Sequence, residues 1–163
     1  MLSTLKIKKE VSATTVSNAS TTIVLARHAE RSNQGGSDPH LTLTGKARAQ
    51  KLIHVLGMVE IKAIYTSNFI RTKETALPIA THLGLSTVLI NEAAEIKNNI
   101  LANHSGKTVL VIGHSDTVPE VISLLSNASP PVIEDNEFDN LFILTVFDSS
   151  RVSFVRLKYG DPS

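Results

Sequence analysis

Two stretches of this sequence place a histidine directly after a short apolar run. The run Thr22–Ala26 is followed by Arg27 and His28, and the run Thr108–Ile112 is followed, after one glycine, by His114. Short continuous apolar runs of this kind are typical of strands that are buried on both faces. In an open parallel sheet, ligands bind at the carboxyl ends of the strands. If the two strands are neighbours, both histidines therefore project into one crevice.

Cations accompany the two histidines. A third apolar run, Ala63–Thr66, leads into Ser67, and Arg71 follows in the first turn of the next predicted helix. The guanidinium groups of Arg27 and Arg71 are forked donors that match phosphate oxygens. Backbone N–H groups at the helix starts after Ser67 and Ser115 would add to the affinity for an anion. The pattern favours a pocket for a phosphoryl group.

The two histidines suit different parts of a phosphoryl transfer. A neutral imidazole is a competent nucleophile toward phosphorus, and the phosphohistidine that it forms can be hydrolysed by water. The second imidazole can stay protonated beside a bound dianion and donate to it. Flanking cations can stabilise the transferred group, so the chemistry requires no metal. No two histidines have the i, i+4 spacing of a helical metal site, and we expect neither a metal nor another cofactor.

Strands and helices alternate along the chain after about residue 20. Further strands are predicted at residues 87–90, 141–147 and 152–157, the last two joined by a short link as in an edge hairpin. Helices are predicted over Thr42–Leu56, Asn68–Leu83, Asn91–His104 and Asp116–Leu125. This order predicts an α/β fold: a three-layer αβα sandwich with a mainly parallel sheet, helices on both faces and a late antiparallel hairpin at the sheet edge.

The helix ends carry their own signals. Thr42 or Thr44 can cap the first helix, and Asp116 can cap the fourth. Ser67 is predicted to cap the second helix, inside which Pro78 predicts a kink or a break.

Composition excludes several classes of protein. The chain has 163 residues, the length of one domain, and its 16 Lys and Arg against 15 Asp and Glu give a net charge of +1. That balance argues against a nucleic-acid partner. The absence of cysteine excludes disulfides, a thiolate zinc site and a thiol nucleophile. No stretch approaches the ~18 consecutive apolar residues of a membrane span, so we expect no membrane partner.

The first twenty residues differ in composition from the rest. A lysine cluster is followed by a Ser- and Thr-rich stretch, and we interpret residues 1–20 as a flexible or loosely docked arm and residues 21–163 as one domain. We expect a cytoplasmic protein, or an exported or periplasmic one if the arm is a processed leader.

Four blocks of the sequence form a set. Leu25–Glu30 contains Arg-His-Ala, Leu41–Gly45 contains Leu-Thr-x-x-Gly, Tyr65–Ala76 contains Ser-x-x-x-Arg-x-x-x-Thr-Ala, and Val111–Ser115 contains the second histidine. In this order they resemble the blocks of the histidine phosphatase (phosphoglycerate mutase-like) superfamily, with alanine in place of the glycine in its Arg-His-Gly signature. The resemblance covers about residues 22–125 and extends to the short phosphohistidine phosphatases of that family.

The resemblance implies roles for particular residues. It implies that His28 is the nucleophile and that Arg27, Arg71 and His114 complete the catalytic phosphate pocket. Singly, each histidine could instead be a structural residue and Arg71 a solvated one. The set of blocks favours the catalytic interpretation.

The proton donor is left open between several carboxylates. In the family it is usually an acidic residue beyond the third strand, which implies Glu92, with Glu95 in reserve. Glu30 and Asp116 lie beside the two histidines in sequence and are alternatives. His40, which precedes the second block, could lie near the mouth of the pocket.

Loop lengths bear on the reaction. Only ten residues separate Glu30 from Leu41, and between Leu89 and Thr108 there is room for one helix, so we expect no lid over the pocket. A pocket open to water favours hydrolysis over transfer. We therefore predict a metal-independent phosphatase acting on a phosphorylated small molecule or a phosphoprotein. The alternatives are a non-catalytic phosphate-binding module and a phosphoglycerate-type mutase.

Overall fold

Strands and helices alternate through the part of the chain that the computed structural model describes, residues 19–148 and 150–163. The strands are β1 (Thr21–Arg27), β2 (Ile61–Thr66), β3 (Thr87–Leu89), β4 (Thr108–Gly113), β5 (Asn140–Val146) and β6 (Val152–Lys158). The helices are α1 (Leu43–Leu56), α2 (Ile70–Leu83), α3 (Ala93–Asn103) and α4 (Thr117–Ser126). Residues 1–18 of the predicted N-terminal arm lie outside the described residues, and the domain boundary near residue 20 stays a prediction.

The strands form one sheet in the order β3-β2-β4-β1-β5-β6. The pairs β1–β4, β2–β4 and β2–β3 are parallel, whereas β5 is antiparallel to β1 and β6 is antiparallel to β5. The predicted mainly parallel sheet with a late edge hairpin is therefore confirmed. Because β1 and β4 are neighbours, Arg27 pairs in register with Gly113.

Helices cover both faces of the sheet, as the continuous apolar runs predict. Successive residues of a strand point to opposite faces, so Ile23 and Leu25 belong to one hydrophobic cluster, whereas Val24 and Ala26 belong to another. The first cluster contains side chains of α3 and α4, and the second contains side chains of α1 and α2. The predicted three-layer sandwich is confirmed.

Side chains cap two of the helices as expected. The Thr42 hydroxyl accepts a hydrogen bond from the N–H of Gly45 at 3.0 Å, and the Asp116 carboxylate accepts from the N–H of Thr117 at 2.6 Å. Each cap satisfies a backbone donor that has no partner within its helix.

Helix α2 differs from prediction at its start and at its proline. The helix begins at Ile70, whose N–H donates to the Asp38 carboxylate at 2.9 Å, so the predicted cap by Ser67 is wrong. Pro78 does not break the helix, which runs on to Leu83. Gly84 follows as the C-cap with a φ of +66°, a left-handed conformation that glycine adopts without steric cost.

None of the helices in the described part of the chain is both long enough and apolar enough to cross a bilayer. The cellular compartment stays a prediction.

Candidate active site

The carboxyl ends of β1 and β4 bring the two predicted histidines together. The N–H of His28 donates to the carbonyl of Gly113 at 2.8 Å, which extends the ladder between the two strands by one bond. The ring centroids of His28 and His114 lie 5.4 Å apart, with an angle of 66° between the ring planes. Two residues that are 86 positions apart in the chain thus share one crevice because their strands are parallel neighbours.

A cavity of about 420 Å³ lies at this edge of the sheet. It is lined by all six residues that the sequence predicts for the site: Arg27, His28, Arg71, Glu92, His114 and Ser115. Arg31, Phe69 and Asp135 also line it, and the sequence analysis did not predict them. The lining comes from the end of β1, from the segments that follow β2, β3 and β4, and from the loop after α4.

The geometry of His28 selects one tautomer. Its side chain is almost wholly buried, and Nδ1 lies 2.8 Å from the carbonyl oxygen of Ala29. Because a carbonyl can only accept, Nδ1 carries the proton and Nε2 keeps its lone pair. Burial lowers the pKa of His28 to about 3, and the positive charge of Arg27 acts in the same direction. At neutral pH the ring is therefore an uncharged imidazole with a nucleophilic Nε2.

Ala29, which stands where the resembled Arg-His-Gly signature has glycine, is accommodated without strain. Among the described residues, Asn127 is the only non-glycine residue with a positive φ. The buried Ala29 forms a small apolar cluster with Leu41 and Ala49. Its N–H donates to the hydroxyl of Thr75 at 2.9 Å. The substitution leaves the backbone in an ordinary conformation.

His114 takes the opposite tautomer. Nη2 of Arg71 lies 3.4 Å from Nδ1 of His114. Because a guanidinium can only donate, this Nδ1 must accept the hydrogen bond. His114 Nε2 then donates to the hydroxyl of Ser67, 2.9 Å away, and Ser67 contacts the hydroxyl of Thr72 at 2.8 Å. Ser67 thus orients the second histidine rather than capping α2.

The charge of His114 depends on what fills the cavity. Burial, reinforced by the charge of Arg71, lowers the pKa of His114 to about 4, so the ring is neutral in the free site. A bound dianion would raise that pKa. The protonated state that we predict for the second histidine therefore belongs to the occupied site.

Arg27 is held rigidly by a distant loop. Its Nη1 donates to three backbone carbonyls, those of Glu134, Asp135 and Glu137, at 2.9, 3.0 and 3.1 Å. The guanidinium carbon lies 4.4 Å from the ring centroid of Phe138. The loop that follows α4 thus fixes the first cation of the site.

Arg71 is fixed by other partners. It lies 4.2 Å from the ring centroid of Phe69, and its Nη1 is 3.6 Å from the Asp38 carboxylate. The Nε atoms of Arg27 and Arg71 are both buried, and neither has a hydrogen-bond partner within the described residues. A buried donor without a partner is costly, and an anion in the cavity could supply the missing acceptor.

The four carboxylates considered as proton donors have different surroundings. Glu92 is exposed and lines the cavity at the start of α3, whereas Glu95, one turn further on, does not line it. Glu30 lies outside this cavity and is bound to the guanidinium of Arg48 at 2.7 and 3.0 Å. Asp116 lines the cavity, but its carboxylate caps α4.

The ionisation of Asp116 argues against a role as an acid. Burial tends to raise the pKa of Asp116, but hydrogen bonds from the N–H and hydroxyl of Thr117 outweigh it and lower the pKa. At neutral pH Asp116 is an ionised acceptor. Glu92 is the one candidate that lines the cavity without a side-chain hydrogen bond to any described residue.

Other predicted or possible ligands lie elsewhere. His40 is exposed outside the cavity lining, and its Nδ1 lies 2.7 Å from the carboxylate of Glu74. Among residues 19–148 and 150–163, no three His, Asp or Glu side chains are grouped closely enough to hold a metal ion.

The residues missed by the sequence analysis differ in how visible they were. Arg31 follows a predicted site segment directly, so its charge and position could have drawn attention to it. The loop residues that hold Arg27 lie more than 100 positions away in the chain and form no periodic pattern. Only the tertiary structure brings that loop to the cavity.

The fold and the site together define a class of protein: an α/β domain in which two histidines and two arginines line one cavity at the carboxyl ends of parallel strands. The sequence model of the histidine phosphatase superfamily (branch 1) matches residues 23–101. This match and the fold shared with a solved histidine phosphatase show that the chain is similar to the histidine phosphatase superfamily, the resemblance that its four sequence blocks predict.

Several solved structures have the same fold at low sequence identity. The protein histidine phosphatase SixA, complexed with tungstate, is 20% identical with a TM-score of 0.68, over 84% of this chain and 96% of SixA. A mycobacterial glucosyl-3-phosphoglycerate phosphatase is 15% identical with a TM-score of 0.68, over 83% of this chain and 97% of the other. YhfR of Bacillus stearothermophilus is 22% identical with a TM-score of 0.68, over 88% of this chain and 98% of YhfR. No curated protein sequence matches the chain.

Proposed function

We propose that the protein is a metal-independent phosphatase that hydrolyses phosphoesters or protein phosphohistidine through a covalent phosphohistidine on His28. The observation that carries the proposal is the state of His28, whose hydrogen bond to Ala29 leaves Nε2 with a lone pair in a cavity lined by two arginines. A nucleophile in the correct tautomer beside preorganised cations is the arrangement that phosphoryl transfer needs.

The proposed reaction has two steps. Nε2 of His28 attacks phosphorus and the bond to the leaving oxygen or nitrogen breaks, while Arg27 and Arg71 hold the equatorial oxygens. The Nδ1–H of His28 stays hydrogen-bonded to the Ala29 carbonyl, which stabilises the positive charge of the phosphorylated ring. Water then attacks phosphorus, the bond to Nε2 breaks, and inorganic phosphate leaves.

Glu92 is our candidate for the proton donor to the leaving group. Its carboxyl lies on the cavity lining and is free of the hydrogen bonds and ion pairs that occupy Asp116 and Glu30. Once the leaving group has departed, the same carboxylate could accept a proton from the attacking water. Ser115, which follows His114 two residues after the end of β4, is proposed to bind phosphate together with Arg27, Arg71 and the two histidines.

The substrate is proposed as a phosphorylated protein or small molecule. Solved structures with this fold include one named for protein histidine phosphatase activity and another named for a sugar phosphoglycerate. Only ten residues connect Glu30 to Leu41, a length that we interpret as too short for a lid over the cavity. An exposed phosphoryl group of either kind could therefore enter.

The test is hydrolysis of p-nitrophenyl phosphate by the full chain. We expect His28→Ala to lower kcat by at least about 10³-fold, because the covalent route is lost. His54→Ala is the matched control, since His54 is exposed on α1, and it should retain the wild-type rate. Turnover that survives in His28→Ala would contradict the proposal.

The same assay separates the alternatives. Binding of inorganic phosphate without turnover would indicate a phosphate-binding module, and interconversion of phosphoglycerates at a rate comparable to hydrolysis would indicate a mutase. If Glu92 protonates the leaving group, Glu92→Gln should slow alkyl phosphates much more than p-nitrophenyl phosphate, whose leaving group barely needs an acid. If Glu92→Gln slows both substrates equally, another group must protonate the leaving group.

A further inference from the structure

Thr75 links the segment that carries the nucleophile to the helix that carries Arg71. The residue is fully buried on α2, one turn after Arg71. Its hydroxyl accepts a hydrogen bond from the N–H of Ala29 at 2.9 Å and donates to the carbonyl of Arg71 at 2.7 Å. One side chain therefore joins the end of β1 to the first turn of α2.

Three other backbone groups around Ala29 are hydrogen-bonded as well. The N–H of His28 donates to Gly113, and the carbonyl of Glu30 accepts from the N–H of Thr42 at 2.9 Å. The carbonyl of Ala29 accepts from Nδ1 of His28. Among the described residues, only Thr75 accepts from the N–H of Ala29. If the Thr75 hydroxyl were lost, a buried donor would have no partner, and Ala29 would have to rotate to find one.

We propose that Thr75 is a positioning residue that keeps His28 in its reactive tautomer. The hydroxyl holds Ala29 so that its carbonyl faces Nδ1, which fixes the proton there and leaves the lone pair on Nε2. The second bond of Thr75, to the carbonyl of Arg71, ties that arrangement to the helix turn from which Arg71 projects. The tautomer of His28 is inferred from its hydrogen bond alone. Only the expected effect on kcat rests on the proposed phosphatase function.

The direct test is the tautomer of His28, read from the ring ¹⁵N chemical shifts and ring couplings of histidine-labelled protein. Wild type and Thr75→Ser, which keeps the hydroxyl, should show the proton on Nδ1. Thr75→Val has nearly the same volume but no hydroxyl, and it should show a mixture of the two tautomers. Thr72→Val is the matched control, because Thr72 is equally buried on α2 but bonds to Ser67 and Phe69, not to Ala29. It should leave the proton of His28 on Nδ1, even if the loss of the Thr72 contact to Ser67 alters the signals of His114.

The kinetic test separates position from binding. With p-nitrophenyl phosphate, Thr75→Val should lower kcat on the order of 10²-fold, because small displacements of a reacting atom have effects of that size. Thr75→Ser should stay within about threefold of wild type. Inhibition by inorganic phosphate should change little in either variant, since the arginines and His114 remain.

The spectra and the kinetics of the Thr75 variants can each contradict the proposal. An unchanged tautomer and kcat in Thr75→Val, or equal loss in Thr75→Ser, would overturn the proposal. If wild type shows the Nδ1–H tautomer but no turnover, the phosphatase proposal fails. The role of Thr75 is then tested by the tautomer of His28 in Thr75→Val alone. If Thr75→Val does not fold, hydrogen exchange of the Ala29 amide in wild type decides: slow exchange supports the bond to Thr75, and fast exchange rules it out.

Discussion

In both arginines of the site, one part of the guanidinium is held in place and another part has no hydrogen-bond partner within residues 19–148 and 150–163. Three loop carbonyls hold Nη1 of Arg27, and an aromatic ring packs on each of Arg27 and Arg71. The buried Nε atoms have no acceptor among the described residues. A cation whose direction is set before the ligand arrives loses little entropy on binding it. The affinity for an oxyanion that we propose for this site would therefore come from the position of its charges rather than from their number.

The lowered pKa of His28 makes the free energy of unfolding depend on pH. Its folded-state pKa of about 3 lies below the unfolded value of 6.5, so the unfolded chain binds a proton that the folded chain does not. The contribution is fully present above pH 6.5 and is lost as the pH falls toward 3. Between pH 7 and pH 5 we expect this residue alone to lower the free energy of unfolding by about 2 kcal/mol.

Urea denaturation at pH 7, 6 and 5 checks this expectation. His28→Gln removes the titrating group, so the difference in unfolding free energy between pH 7 and pH 5 should be smaller in the variant than in wild type. His114, whose pKa is also lowered, still titrates in both. The same pH dependence in the two proteins would show that His28 is not neutral in the fold.

Among the elements, α1 approaches the end of β1 unusually closely. A Cβ built on Gly45 would lie 2.2 Å from the carbonyl oxygen of Glu30. That carbonyl also accepts from the N–H of Thr42, so the helix start and the segment after His28 pack backbone to backbone. The glycine of the sequence block Leu41–Gly45 is therefore explained by this contact and not by its φ.

We predict that Gly45→Ala destabilises the protein by about 1–3 kcal/mol, since one methyl group must displace the helix start from the backbone of Glu30. At an unobstructed helical position the same change would stabilise by up to about 1 kcal/mol, so the sign itself is informative. Thr44→Ala, at the exposed neighbouring position, should change stability by less than about 0.5 kcal/mol. Thermal or urea denaturation of the three proteins gives the comparison. A stabilised Gly45→Ala would mean that the contact is absent.

At the scale of elements, most of the fold could be predicted and much of the site's support could not. The apolar runs that lead to Arg27 and His114 gave strands, because a strand buried on both faces leaves a local pattern. The cap of α2 by Asp38 leaves none, since donor and acceptor are 32 positions apart. The same holds for the carbonyls that hold Arg27, because a backbone group has no signature in the sequence. Local patterns thus predicted which residues meet and missed what holds them.

Across the whole molecule, a buried ion pair connects three separate regions. Arg48 on α1, almost fully buried, binds the carboxylate of Glu30 and donates to the carbonyl of Tyr159 at 3.0 Å. The end of β1, helix α1 and the segment after β6 therefore meet at one side chain. Glu30 is thereby explained as a structural partner of Arg48.

Removing one member of this pair should be more harmful than removing both charges. We predict that Arg48→Met destabilises by about 3–5 kcal/mol, because the Glu30 carboxylate is left largely buried without its partner. Adding Glu30→Gln should recover part of that loss, with a coupling of about 0.5–3 kcal/mol between the two positions. A double-mutant cycle by urea denaturation measures the coupling. Additive effects would show that the pair is not energetically linked.

The place of β1 in the sheet also bears on how the protein is made. Both neighbours of β1, the strands β4 and β5, come from the second half of the chain. During synthesis β1 must therefore wait, unpaired, until more than eighty later residues have left the ribosome, and pairings of such long range close slowly. The crevice at the ends of β1 and β4 is one of the last features that a growing chain can assemble, so an incomplete product should lack it entirely.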